Sequence, residues 1–165
     1  MKLAICAGSF NPVTLGHVDL FERAAEMFRE VVVLLVYNSA KQFDVPAEIR
    51  LELLKKATAH IPNVRVEAHT GLLINYALAH QNAVIVKGLR TEADFASEMA
   101  MAHVNCAASG GFVNTVFIPT RPELTFVSST IAREFAAYGG DLSKLVPECV
   151  REEVAKLYYK GEWPK

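Results

Sequence analysis

Short apolar runs alternate along this chain with longer stretches of helical period, and that alternation restricts the fold more than any other property of the sequence. Residues 3–7, 31–37, 64–68, 83–86 and 115–119 have strand length, and "LAICA", "VVVLLVY" and "AVIV" are nearly continuous in apolar residues. Strands of that composition are covered on both faces, as in a parallel sheet between two helical layers. The intervening segments supply the helices. Over 18–28, Val18, Phe21, Ala25 and Phe28 share one face. Pro46 opens a second helix running to Ala57, and 72–79 reads as a third. The longest spans 91–107, with Thr91 and Asp94 spaced as a capping-box variant. Its stripe of Phe95, Met99 and Ala102, with Met101 nearby, is expected to face the core, and Gly110 and Gly111 end it. Helices over 128–138 and 147–160 complete the chain. The expectation is a Rossmann-like α/β fold with a five-stranded parallel sheet and helices on both faces, in one domain covering 1–165.

Composition narrows the function. A chain of 165 residues buries roughly 70% of its unfolded surface, which allows a substantial core. Formal net charge is -1, so the basic stripe that duplex nucleic acid demands is missing. The amino terminus, "MKLAICAGSF", is too short in apolar residues for a signal peptide or a membrane span. Cys6, Cys106 and Cys149 are odd in number and lack zinc-finger spacing, as expected of a reduced, cytoplasmic protein with structural thiols.

Open parallel sheets bind ligands beyond the carboxyl ends of their strands, so the residues following each strand are the informative ones. After the first come Gly8, Ser9, Phe10, Asn11, Pro12, Thr14, Gly16 and His17. Lys41 follows the second strand, and Lys87, Gly88 and Arg90 follow the fourth. Ser128, Ser129 and Thr130 follow the fifth. Taken singly, these are turn glycines, an N-cap and solvated charges. Taken together they suit a polyphosphate: glycine admits close approach of backbone amides, and helix N-termini direct free N–H groups at anions. Lysine acts there as a point charge, and arginine grips phosphate in bidentate fashion. GxGxxG after the first strand, GxxxxGK[ST] and GxSxG are all missing, which argues against a dehydrogenase, a P-loop ATPase or a serine hydrolase. Cys6 sits inside an apolar strand, where a thiolate is disfavoured.

"GSFNPVTLGH" resembles the (T/S)xxxH signature of the nucleotidyltransferase superfamily, and "VSSTIARE" resembles its ISSxxxR-like second signature. The stretch "VKGLRTEADFASEMAMAHVN" narrows the resemblance to the bacterial phosphopantetheine adenylyltransferase family, over Lys2 to about Leu157. That resemblance implies adenylyl transfer from ATP to 4'-phosphopantetheine without a covalent enzyme intermediate. It implies that His17 contacts the α-phosphate, that Ser9 holds phosphate oxygens between the substrates, and that Lys41 neutralises the attacking phosphate. Gly88, Leu89 and Arg90 would embrace ATP, with Glu98 near the nucleotide. Phe10 belongs to the same nucleotide set, and Leu124, Thr125, Phe126, Val127, Ser128, Ser129 and Thr130 would close over adenine and the outer phosphates. Leu73 and Lys87 would meet phosphopantetheine, Lys87 standing where the family usually has arginine. Mg²⁺ is implied on the ATP oxygens rather than in a protein cage, coenzyme A as a feedback inhibitor, and a homohexamer as the assembly. Asn11 replaces the usual family aspartate, a departure from the family pattern that bears on specificity. Nicotinate mononucleotide adenylyltransferases, cytidylyltransferases of small phosphorylated alcohols, a nucleotide-binding sensor without turnover and a structural interaction module remain the alternatives.

Overall fold

The computed structural model describes residues 3–37, 43 and 45–161. The chain alternates strands and helices: β1 (Leu3–Gly8), α1 (Leu15–Met27), β2 (Glu30–Tyr37), α2 (Ala47–Thr58), β3 (Val64–Thr70) and α3 (Leu73–Leu78). It continues through β4 (Ala83–Leu89), α4 (Glu92–Ala108), β5 (Asn114–Pro119), a 3-10 turn at Pro122–Leu124, α5 (Ser129–Ala137) and α6 (Glu148–Tyr158). Every ladder is parallel, and the strands lie in the order β3-β2-β1-β4-β5. The expected α/β architecture, a five-stranded parallel sheet flanked by helices, is what the chain forms. Among the described residues no helix is long and apolar enough to cross a membrane.

Side-chain alternation divides the core. Ala4 and Cys6 of β1 join Val31, Val33 and Leu35 of β2 on the face covered by α1, α2, α5 and α6. Phe21 of α1 is wholly buried there, a burial that stabilises by roughly 1.5–3 kcal/mol. Ile5, Val32 and Leu34 face the other way, toward Ile74, Tyr76 and Ala77 of the six-residue α3. The first layer is thick and the second is thin.

Helix α4 belongs to the thin layer, and here the structure corrects the sequence reading. No residue of α4 is buried. Phe95 packs its ring against Phe117 of β5 at 5.9 Å yet stays 44% exposed, and Met101 is 55% exposed. Helical spacing specifies an amphipathic face but not what covers it, and among the described residues no further element packs over the outer face of α4 beside the edge strand β5. The helix ends as expected, with Gly110 and Gly111 at positive φ and the Gly111 N–H bonded back to the Cys106 carbonyl at 2.8 Å.

The sheet also opens at its centre. β1 pairs with β4 only from Leu3–Ala83 to Ile5–Ile85, although β1 stays with β2 to Gly8 and β4 stays with β5 to Leu89. Beyond Ile5 and Ile85 each central strand follows its outer neighbour. A gap results at the point where the winding reverses direction, the usual ligand position in such sheets. The expected strand end at Val86 is corrected by the same ladder: Lys87, Gly88 and Leu89 pair with Phe117, Ile118 and Pro119 and are strand residues rather than a turn.

Candidate active site

A cleft of about 370 Å³ fills the gap between the ends of β1 and β4. Cys6 and Val86 lie at its base with Leu20 and Phe21 of α1. Burial pushes the Cys6 thiol up to about 12, against a smaller opposing effect from Lys87, so this cysteine is no nucleophile.

The loop from Gly8 to Thr14 forms one wall. Phe10 takes the left-handed conformation, φ +45, and lays its ring over Gly8. A Cβ at Gly8 would stand 3.0 Å from that ring, closer than most side-chain contacts, so the glycine lets the Phe10 ring settle here without shifting. The Phe10 ring then meets the His17 ring edge-on, with centroids 5.1 Å apart.

His17 is the third residue of α1, and Thr14 is its N-cap. The pair forms a capping box in which the imidazole takes the part usually played by glutamate or glutamine: the Thr14 N–H donates to Nδ1 at 3.0 Å, and the His17 N–H donates to Thr14 Oγ1 at 3.4 Å. Because Nδ1 accepts a backbone hydrogen bond, the neutral ring carries its proton on Nε2. Burial, reinforced by the Arg90 charge, lowers the His17 pKa to about 4. At neutral pH His17 is therefore an uncharged Nε2–H donor on the cleft wall.

Cations stand opposite. Arg90 donates from Nε and Nη2 to the Asp94 carboxylate at 3.0 and 3.2 Å, and from Nη1 to the Val127 carbonyl at 3.3 Å. Lys87 faces Glu98 at 3.4 Å. Asp94 and Glu98 lie one turn apart on α4, so a single helix edge supplies counter-ions to both. Asp94 had a capping role in the sequence reading and its contact with Arg90 went unnoticed, although Arg90 and Asp94 already stand at the four-residue spacing that pairs charges.

The start of α5 closes the far side. Ser128 caps it by accepting the Ile131 N–H at 3.1 Å, Ser129 donates to the Pro12 carbonyl at 2.8 Å, and Thr130 accepts from Arg133 at 3.3 Å. The Ser129 hydroxyl is thus engaged in the fold, and what the segment offers a ligand is chiefly its first-turn amides and the dipole end of α5.

Of the residues singled out by sequence, Gly8, Ser9, Phe10, Thr14, Gly16, His17, Lys87, Gly88, Arg90, Glu98, Val127, Ser128, Ser129 and Thr130 border this cleft. Leu73, Leu89, Leu124, Thr125 and Phe126 do not border it. Leu73 packs on the thin-side core, Leu124 on the thick-side core, and the Thr125 hydroxyl is bonded to the Pro122 carbonyl at 2.9 Å. Lys41 lies outside the described residues. Asn11 is 6% exposed and accepts a hydrogen bond from the Tyr158 hydroxyl. Its side chain is turned into the fold and does not border the cleft, so any bearing of Asn11 on specificity would be through the loop it holds. Thr120, at the end of β5, is a lining residue that the sequence did not single out.

Two helix N-termini, an ammonium, a guanidinium and a neutral imidazole donor thus converge on one cleft, a set suited to a multiply phosphorylated anion. The solved structure of Plasmodium falciparum nicotinic acid mononucleotide adenylyltransferase complexed with NaAD shares the fold: TM-score 0.66 at 14% identity, with 95% of this chain and 97% of that chain covered. The cytidylyltransferase-like family matches residues 5–135, from the middle of β1 through most of α5. That match spans well over half of the sequence, and the chain belongs to the cytidylyltransferase-like family of nucleotidyltransferases.

Proposed function

We propose that the protein transfers the adenylyl group of ATP to 4'-phosphopantetheine, giving dephospho-coenzyme A and pyrophosphate. The observation that carries this reading is His17, a neutral donor set by Thr14 between two helix N-termini. An acceptor phosphate is already ionised at neutral pH and needs no general base. Its oxygen forms the new bond to the α-phosphorus as the bond to the bridging oxygen of the β-phosphate breaks, and pyrophosphate leaves with that electron pair. The protein's part is alignment and stabilisation of charge on the oxygens in flight. His17 donates to the α-phosphate from Nε2, Arg90 meets the outer phosphates, and Ser9 lies between the two substrates. Lys87, with Lys41, attracts the acceptor phosphate.

The "KGLR" and "DFASE" segments favour phosphopantetheine as the acceptor. The second reading, nicotinate mononucleotide as acceptor, uses the same chemistry and is favoured by the likeness to the Plasmodium enzyme. Mg²⁺ fits as an ion carried by the triphosphate. Among the described residues no cluster of three or more His, Cys, Asp or Glu could hold a metal, and both carboxylates facing the cleft are paired with cations. There the ion would neutralise phosphate charge. Coenzyme A as an inhibitor and a cytoplasmic setting belong to the same reading. So does a homohexamer, which the exposed Met101, Val104 and Phe112 around α4 support as surfaces for further copies of the chain.

The test is pyrophosphate release with ATP and Mg²⁺, with 4'-phosphopantetheine and nicotinate mononucleotide in parallel. Turnover with phosphopantetheine alone is expected. Turnover with the mononucleotide alone establishes the second reading, and ATP binding without release under either condition identifies a sensor.

A further inference from the structure

We infer that Tyr158, at the end of α6, is a positioning residue for His17, acting through Asn11 and Phe10. The residue lies beyond the segment 5–135 that matches the family.

The argument begins at Phe10. A phenylalanine holds φ +45 only where its surroundings over-determine the backbone. Both neighbours are tied. The Ser9 carbonyl accepts from Arg50 Nη1 at 2.6 Å, and Arg50 is itself fixed by a bond to the Val45 carbonyl at 3.1 Å and by stacking 4.2 Å above the Phe43 ring. The Asn11 carbonyl accepts from Arg133, and the Asn11 side chain accepts from the Tyr158 hydroxyl. Asn11 and Tyr158 are both buried, at 6% and 4% exposure, so water is poorly placed to replace the hydroxyl if it is removed.

Phe10 transmits the constraint. Its ring stands edge-on to His17 at 5.1 Å and to Phe21 at 5.6 Å, while His17 and Phe21 lie nearly parallel at 6.4 Å. The imidazole is propped from behind by a ring whose backbone is pinned on both sides. Loss of the Tyr158 hydroxyl frees Asn11, lets Phe10 leave its left-handed conformation, and loosens the Thr14 N–H bond that keeps the His17 proton on Nε2.

The kinetic consequence rests on the adenylyl-transfer reading, but the position of the ring does not, and the experiment separates them. In the full-length protein labelled with ¹⁵N-histidine, two-bond ¹H–¹⁵N correlations at neutral pH should show wild-type His17 protonated on Nε2. In Tyr158→Phe, which keeps the packed ring, the two nitrogens should move toward exchange-averaged tautomers. Turnover should fall about tenfold while both KM values stay within about twofold, as for a misaligned reacting group. An unchanged His17 pattern in folded Tyr158→Phe overturns the proposal. If that variant does not fold, Asn11→Leu breaks the same bond from the other side and Asn11→Asp keeps an acceptor. A disturbed pattern in the first and a wild-type pattern in the second supports the proposal, and the same pattern in both overturns it. A disturbed ring in a protein that turns over neither acceptor supports the positioning and removes the reaction.

Discussion

Glu98 of α4 stands 3.4 Å from the Lys87 ammonium of β4, and both line the cleft in which the proposed reaction would place a phosphorylated acceptor. A carboxylate in that place holds the lysine for an incoming anion and must be displaced by it. Glu98→Gln is expected to lower the KM for the acceptor about fivefold, the order of one partly exposed ion pair of ~1 kcal/mol. Steady-state kinetics at fixed ATP measures it, and a rise in that KM would show that Glu98 itself touches substrate.

Lys87→Arg changes the same cation without changing its sign. A guanidinium holds phosphate through two donors where an ammonium is a point charge, so the acceptor KM should fall or stay unchanged. A several-fold rise would mean that the acceptor phosphate is bound elsewhere.

His17→Ala removes the donor that the proposed reaction assigns to the α-phosphate. Turnover should drop on the order of a hundred- to a thousand-fold with little change in ATP affinity, because the interaction strengthens in the transition state. Calorimetry for ATP binding and single-turnover kinetics separate the two effects. Equal losses in both would reduce His17 to a binding residue.

His17 also makes stability depend on pH. Its pKa falls from 6.5 in the unfolded chain to about 4 in the folded one, so between those values the unfolded state holds more protons. Its contribution is complete above pH 6.5 and is lost as pH falls toward 4, by on the order of 3 kcal/mol in all. Urea midpoints between pH 7 and 4 should show this slope in the wild type and lack it in His17→Asn. Identical slopes would place the imidazole in solvent.

The exposed face of α4 provides a test of assembly. Met101→Glu with Val104→Glu adds charge to an apolar surface without touching the core. Light scattering should report assembly in the wild type and a smaller species in the double variant, with helix content preserved. A wild-type monomer at working concentration would remove the hexamer.

The strands were legible because each carries its own evidence. "VVVLLVY" is apolar at every position but its last, and its length and valine content point to a strand covered on both faces rather than a buried helix. Strand β4 was read too short because Lys87 and Gly88 look like an exit, and their pairing with Phe117 and Ile118 depends on residues about thirty positions away. The burial of Asn11 was invisible for the same reason, since its partner Tyr158 lies 147 positions along the chain. The role of α4 was misjudged differently. Phe95, Met99 and Ala102 do form a stripe, but periodicity reports an apolar face whether it meets its own sheet or another surface. Ser9, His17 and Arg90 could be placed near the cleft by position alone, because each follows a strand. Asp94 and Glu98 act as counter-ions, and that becomes visible once α4 lies beside β4.

A sheet sealed on one side and thinly roofed on the other loosens unevenly. Amide protons of α4 and β5 should exchange first, through openings that leave the rest intact, and those of β2, flanked by strands and wholly apolar at its centre, should exchange last. The loop around Phe10 is moored to α2, α5 and α6 by Arg50, Arg133 and Tyr158, all on the thick side. Breathing at the outer edge would therefore loosen the Asp94 and Glu98 side of the cleft while the wall built by Phe10 and His17 stays fixed.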